Sequence, residues 1–150
     1  MLTLRGLDNA PLLEVLVTTL HKWRRPSRGN IHHMLKIMAF LSKRADLATR
    51  AFIEHYENDH VPLIGSLAPS PIVYKRNYLV RDHELNRRQD NTIDFDVVTE
   101  LVFPDRAAYL AWGSAVGTGT AGEQVAADEA RFLDRSRTRA YVIEEHVTSG

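Results

Sequence analysis

The chain has 150 residues, with 19 basic and 19 acidic side chains and no net charge at pH 7. This is the length of one domain, and the balanced charge gives no overall field that would attract nucleic acid or an anionic membrane. The absence of cysteine excludes disulfides, thiolate metal sites and a cysteine nucleophile. We therefore expect a cytoplasmic protein that binds neither nucleic acid nor a membrane.

Residues 1–33 differ in character from the rest of the chain. Basic side chains outnumber acidic ones there, and the apolar stretch "APLLEVLVTTLHKW" is shorter than the ~20 residues that a membrane span needs. A small-residue cleavage site does not follow, which argues against a signal peptide, and Pro26 and Gly29 indicate a linker. We interpret residues 1–33 as a leader, with a basic docking arm as the alternative, and residues 34–150 as the folded domain.

The first half of this domain shows a strand, a helix and a second strand. "MLKIMAFLS" is an apolar run without turn residues and predicts a strand. "IVYKRNYLV" follows Pro69 and Pro71, is rich in β-branched and aromatic residues, and predicts the second strand. Between them, apolar and aromatic residues at three- and four-residue steps predict a helix with one buried face: Phe52, Ile53, Tyr56, His60, Leu63 and Leu67.

The second half begins with a polar segment, 81–94, that predicts a hairpin loop or an irregular excursion. "FDVVTELVF" alternates, ends at Pro104 and predicts the third strand. Asp105 is the expected N-cap of a helix that buries Tyr109 and Trp112. "GTGTAG" predicts a flexible connection, "EQVAADEARFLD" resumes helical spacing, and "TRAYVIEEHV" predicts a fourth strand.

The order strand, helix, strand, strand, helix, strand predicts an α+β, ferredoxin-like βαββαβ fold. In that fold both helices lie on one face of a four-stranded antiparallel sheet. The other face is then bare and apolar, and such a patch is larger than a soluble monomer usually exposes. We therefore expect a face-to-face homodimer, which closes the two sheets into a barrel.

Three segments resemble the EthD family, named for a protein of ethyl tert-butyl ether degradation: "MLKIMAFLSKRADLATRAFIEHYENDHVPLI", "FDVVTELVFPD" and "DEARFLDRSRTRAYVIEE". The most specific pattern is Phe-x-x-x-Tyr-x-x-x-His-x-Pro-Leu, found here as Phe52, Tyr56, His60, Pro62 and Leu63. The resemblance implies the dimeric α/β-barrel fold. It also implies a role in oxidative degradation, or a dehydratase or decarboxylase acting on aromatic polyketides.

His60 is an ionisable side chain on the apolar face of the first helix. It follows Tyr56 by one turn, so its imidazole should point toward the sheet, whereas His55 should be turned away by about a quarter-turn. Pro62 disfavours helical geometry at Val61, which should open the backbone and leave the imidazole at the mouth of the helix–sheet layer. A histidine in such a place can act as a general acid or base. Alternatively, it bonds a backbone carbonyl at a frayed helix end.

Glu100 is a charged residue within an apolar strand. The alternation of that strand places it on the face opposite the helices, in the space that the predicted dimer encloses. A carboxylate there must be paired, hydrogen-bonded or hydrated. It is a second catalytic candidate, able to assist His60 or to accept a proton from a substrate. Alternatively, Arg76 or Arg139 neutralises it in a structural ion pair.

Four phenols and one further carboxylate are candidates for substrate binding. The phenols of Tyr56, Tyr74, Tyr78 and Tyr141 could line a cavity and orient a phenolic or carbonyl group, although packing explains each tyrosine taken alone. Asp128 lies in the late acidic pattern of the EthD family, "DEARFLDRSR". Capping or surface ion pairs are the alternative role for this aspartate.

Motifs for cofactors are missing from the sequence. "GTGTAG" has neither a preceding strand nor a following Lys-Ser/Thr, so it does not predict a phosphate-binding loop. His32 and His33 lack a further ligand at useful spacing. We therefore expect no metal and no cofactor.

Two functions fit these residues. The first is a cofactor-independent enzyme, a homodimer whose interior binds a small apolar carbonyl, phenolic or polyketide-like compound. His60 would be its general acid or base, assisted by Glu100, in dehydration, decarboxylation, cyclisation or oxidation. The second is a non-catalytic accessory or ligand-binding protein that holds a hydrophobic intermediate for the oxygenase of an oxidative degradation system.

Overall fold

The sheet has four antiparallel strands in the order β2-β3-β1-β4. A computed structural model describes residues 34–87 and 93–150, so the predicted leader and part of the polar excursion lie outside the described residues. The strands are β1 (Leu35–Leu41), β2 (Val73–Tyr78), β3 (Val97–Phe103) and β4 (Arg139–Ile143). In the centre, Ile37 of β1 pairs with Leu101 of β3 on one side and with Val142 of β4 on the other.

The first helical segment is continuous from residue 49 to residue 67, but its middle turn is wider than an α-helical turn. It consists of α1 (Thr49–His55), a π-helical turn (Tyr56–His60) and α2 (Val61–Leu67). The second segment consists of α3 (Arg106–Gly117) and α4 (Gly119–Phe132), and a short 3₁₀ turn (Arg135–Arg137) precedes β4. This order confirms the predicted α+β, ferredoxin-like architecture.

The start of α3 and the connection to α4 show how local sequence sets the helix ends. The carboxylate of Asp105 accepts a hydrogen bond from the backbone N–H of Ala108 at 2.8 Å, which confirms the predicted N-cap. The glycine-rich connection is shorter and more tightly packed than predicted, because only Thr118 separates the two helices. A Cβ at Gly122 would lie 2.6 Å from the carbonyl carbon of Gly117, so a glycine is required where the two helices meet.

The core lies between the helices and one face of the sheet. Alternate strand residues enter it, including Ile37, Ala39 and Leu41 of β1. Tyr109 and Trp112 are buried against Phe103, as the helical spacing predicts. From the other helices Phe52, Tyr56, Ile64, Val125 and Phe132 complete the layer.

The opposite face of the sheet carries apolar side chains together with the charged residues Lys36, Lys75 and Glu100, and it faces away from the helices. Met38, Phe40 and Val98 are half-buried there, and Tyr141, opposite Met38 in the register, is 54% exposed. We call this surface the bare sheet face. Within residues 34–87 and 93–150, none of the helices is long and apolar enough to cross a membrane.

Candidate active site

His60 lies at the end of the π turn, on the core side of the helix. It is 3% exposed, and its ring contacts the rings of Tyr56 and Phe132 at centroid distances of 5.2 and 5.1 Å. The inward orientation agrees with the sequence prediction. The prediction of an open backbone at Val61 is wrong, because Val61 is helical (φ −60°, ψ −46°) and Pro62 lies in the first turn of α2, where proline is tolerated.

The π turn determines which histidines share a face. The backbone N–H of Val61 donates to the carbonyl of Tyr56, five residues earlier, which is the hydrogen bond of a π-helix. In a regular α-helix His55 and His60 would be about 140° apart around the axis. The wider turn reduces this separation, so His55 is directed toward α4. The prediction that His55 is turned away is therefore wrong.

Asp128 of α4 accepts a hydrogen bond from each of these histidines. Nδ1–H of His60 donates to Oδ2 at 2.7 Å, and Nε2–H of His55 donates to Oδ1 at 2.8 Å. The side chain of Asp128 is 10% exposed. Burial by itself would raise the pKa of Asp128, but the hydrogen bonds from His60 and His55 outweigh it and hold that pKa below the ordinary value. The carboxylate is therefore ionised between two imidazoles.

Three of the four candidate tyrosines lie on the helix side of the sheet. The hydroxyl of Tyr56 is hydrogen-bonded to Oγ1 of Thr99 at 2.8 Å, and burial raises the pKa of Tyr56 to about 12. Tyr78 donates to Oε1 of Glu57 at 2.7 Å. Tyr141 lies on the bare sheet face instead, so the sheet separates it from the other three.

A partly buried ion pair lies beside two of these phenols. Arg76 donates to both carboxylate oxygens of Glu57, at 3.0 and 2.7 Å, and its guanidinium lies 4.8 Å from the ring centroid of Tyr74. The bidentate pair, with the Tyr78 hydroxyl as a third donor, holds the pKa of Glu57 below its ordinary value. Glu57 and Arg76 belong to the site's surroundings and were missed by the sequence reasoning.

Glu100 lies on the bare sheet face, apart from His60. It is 8% exposed, and its two oxygens bind Nζ of Lys36 at 2.9 Å and Nζ of Lys75 at 3.3 Å. These ammonium groups, Lys36 above all, lower the pKa of Glu100. The expected partners were wrong, because Arg76 lies on the helix side and Arg139 binds Asp94. The expectation that Glu100 assists His60 is also wrong, because the sheet separates them.

Metal-ligand clusters and pockets are the remaining features of interest in the described residues. Within the part of the chain that the structure describes, no group of three or more histidine, aspartate and glutamate side chains could hold a metal ion. His55, Asp128 and His60 are hydrogen-bonded in series and do not converge on one point. A shallow depression of about 470 Å³ opens beside the end of α4, between Arg44, Asp46 and Ser136. His55, His60 and Asp128 do not line it.

The fold and the site define the class of this protein. It is a ferredoxin-like α+β domain with a buried, carboxylate-bound histidine on its first helix. The model of the EthD domain matches residues 44–136, a range that contains His55, His60 and Asp128. The chain therefore belongs to the EthD family, as its sequence patterns indicated. Among curated proteins, none matches.

Two solved structures with TM-scores above 0.5 show the same fold at low sequence identity, and a third is less similar. An EthD family protein from Bacillus halodurans C-125 is 23% identical, with a TM-score of 0.52 over 76% of this chain and 100% of that chain. A NIPSNAP-like domain protein from Burkholderia xenovorans is 15% identical, with a TM-score of 0.54 over 80% of this chain and 91% of that chain. A hydroxynitrile lyase from Passiflora edulis is 15% identical, with a TM-score of 0.46 over 79% of this chain and 100% of that chain.

Proposed function

We propose that this protein is a cofactor-independent enzyme in which His60 is the general acid and base for a small apolar carbonyl, phenolic or polyketide-like compound. The observation that supports this most directly is the 2.7 Å hydrogen bond between Nδ1 of His60 and the carboxylate of Asp128. An ionised carboxylate only accepts hydrogen bonds, so it selects the imidazole tautomer with the proton on Nδ1. Nε2 then has the lone pair that can take a proton from a substrate.

Asp128 also favours the charged state that proton transfer creates. When Nε2 takes a proton, the imidazole becomes a cation, and the adjacent carboxylate stabilises it. The effect is stronger in a buried site, and the side chain of His60 is only 4% exposed. The imidazolium can then return the proton to another atom of the substrate. Dehydration, decarboxylation and cyclisation all need such transfers, and oxidation of a phenol can begin with one.

The surroundings of His60 favour an apolar, aromatic ligand. Its ring lies against the rings of Tyr56 and Phe132, and within the described residues Nε2 has no hydrogen-bond partner. Tyr74 and Tyr78 are only partly buried and supply the phenols that would orient the ligand. Because His60 is almost fully covered, the ligand must displace neighbouring side chains to reach Nε2.

The test is to compare turnover and binding in variants of His60. Aromatic carbonyl compounds, phenols and short polyketide mimics are screened for binding by thermal shift, and each ligand is then followed for conversion by mass spectrometry. In His60→Ala we expect kcat to fall by about 10²–10⁴-fold while binding of the same compound changes little. His146→Ala is the matched control, because that side chain is 85% exposed.

Each outcome of this test has a distinct meaning. If His60→Ala keeps wild-type turnover, the proposed role of His60 is wrong. If compounds bind tightly to the wild type but none is converted, the accessory ligand-binding function replaces the enzymatic one.

We also propose that a second copy of this chain covers the bare sheet face. The half-buried side chains of Phe40 and Val98 are paired across β1 and β3 near one end of that face, and an apolar patch of this kind usually marks an interface. Light scattering at micromolar concentration should show a dimer for the wild type and a monomer for Val98→Lys. Leu110→Lys, a change on the helical layer at a 36% exposed residue, should remain dimeric. A monomeric wild type contradicts the proposal.

A further inference from the structure

Asp128 binds two imidazoles, although the proposed proton transfer needs only one. His60 is the deeper of the two, with a side chain that is 4% exposed, and His55 is nearer the surface at 18%. Each imidazole occupies a different carboxylate oxygen, at nearly the same distance. The proposed role of His60 does not explain the hydrogen bond between His55 and Asp128.

We propose that His55 is a positioning residue for His60 and acts through Asp128. By donating its Nε2–H to Oδ1, it fixes the rotation of the carboxylate so that Oδ2 faces Nδ1 of His60. The inference rests on the proposed function of His60. The last side-chain torsion of an aspartate is broad, so a carboxylate bonded at one oxygen alone is poorly oriented, whereas hydrogen bonds to both oxygens hold it in one position.

The backbone supports this role. A regular α-helix would place residues 55 and 60 about 140° apart, and one carboxylate could not reach both rings. The π turn Tyr56–His60 brings them together, and π turns are rare within helices and frequent at functional sites. One histidine bonded to Asp128 would be enough to link the first helix to α4. The wider turn is needed only for both histidines to bind the same carboxylate.

The contacts of His55 fix which of its nitrogens faces Asp128. Its ring lies against Phe132 at a centroid distance of 4.7 Å, which sets the ring plane. Its Nδ1 lies 3.6 Å from Oδ2 of Asp59, a side chain that is 63% exposed. Nε2 therefore points inward, and His55 must carry its proton on Nε2 to donate to Asp128.

The first test uses the wild-type protein without substrate. Nitrogen-15 NMR of histidine-labelled protein distinguishes the two tautomers of each neutral imidazole. The inference requires His60 with its proton on Nδ1 and His55 with its proton on Nε2. Finding the proton of His55 on Nδ1 overturns the inference without any variant.

The second test separates the hydrogen bond of His55 from its packing. His55→Phe keeps a ring against Phe132 but removes the donor, while His55→Gln keeps an N–H that can reach the carboxylate. In His55→Phe we expect the ratio of Nδ1–H to Nε2–H tautomers at His60 to fall by at least about tenfold, the size of one hydrogen bond to a charged group. His55→Gln should restore most of that ratio, and His146→Phe should leave it unchanged.

The results separate this inference from the proposed function. An unchanged tautomer ratio in His55→Phe, or equal changes in the Phe and Gln variants, overturns the positioning role while leaving the role of His60 intact. Once a converted compound is known, His55→Phe should lower kcat and leave KM nearly unchanged. Full turnover in His60→Ala would remove the proposed function, whereas the tautomer measurements would still report the state of Asp128.

Discussion

The two faces of the sheet each hold a nearly buried carboxylate with two nitrogen partners. The side chains of Asp128 and Glu100 are 10% and 11% exposed. Asp128 is bound by two imidazoles on the helix side, whereas Glu100 is bound by the ammonium groups of Lys36 and Lys75 on the bare sheet face. A lysine stays charged near neutral pH, but an imidazole can gain or lose a proton there. The two carboxylates therefore differ in the chemistry of their partners.

The comparison teaches that two equally buried carboxylates can have partners of different chemistry. Lys75 is 57% exposed, and Lys36, although 14% exposed, also binds Glu145. Glu100 therefore resembles a member of a structural ion-pair network at a sheet surface. The partners of Asp128 are 4% and 18% exposed, and both are imidazoles. The chemical type of the partners therefore distinguishes the two sites.

The largest expected difference between the two faces is in stability. In Asp128→Ala both imidazoles lose their acceptor, and His60 is too deep to be hydrated. We expect the free energy of unfolding to fall by about 3 kcal/mol, as for other buried pairs broken at one partner. Urea denaturation at pH 7 measures it. A loss below about 1 kcal/mol would show that the two histidines find other partners.

The pH dependence of stability should have the same sign on both faces. The pKa values of Asp128 and Glu100 are both lowered in the folded state. The unfolded chain then binds more protons, so each carboxylate stabilises the fold above its unfolded pKa, and this contribution is lost as the pH falls through the folded pKa, below about pH 4. Asp128→Asn and Glu100→Gln should each flatten the fall in urea midpoint over that range. An unchanged acid slope in either variant contradicts the corresponding shift.

The smallest effect should come from Glu100→Gln at pH 7. Lys75 is 57% exposed and Lys36 keeps its pair with Glu145, so the free energy of unfolding should fall by about 1 kcal/mol or less. The tautomer of His60 and the turnover of any substrate should not change, because the sheet separates the two sites. A loss of turnover as large as that of His60→Ala would mean that Glu100 takes part in the chemistry.

The fold could be predicted because its signals are local. The apolar alternation of β3, the N-cap at Asp105 and the inward spacing of Tyr109 and Trp112 depend on neighbouring residues only, and the structure shows each of them. The sequence pattern around His60 likewise indicated the EthD family, and the match of the EthD domain to residues 44–136 confirms it. The apolar stripe was enough to direct His60 inward.

The relations within the site depend on geometry that the sequence does not fix. His55 was missed because a helix with 3.6 residues per turn directs it outward. Pro62 marks an interruption of the hydrogen-bond ladder but does not specify a π turn. The partners of Glu100 were missed because they depend on strand register. Lys75 lies directly opposite Glu100, whereas Arg76, one residue later, points to the other face.

The most direct test of the account is a crystal structure of the protein with an aromatic carbonyl or phenolic compound that it binds. We expect the compound on the helix side of the sheet, with an oxygen or an acidic carbon close enough to Nε2 of His60 for proton transfer, about 2.6–3.2 Å between heavy atoms for an oxygen. The hydrogen bond from Nδ1 to Asp128 should be retained. A compound bound on the bare sheet face beside Glu100, with His60 still covered, would contradict the account.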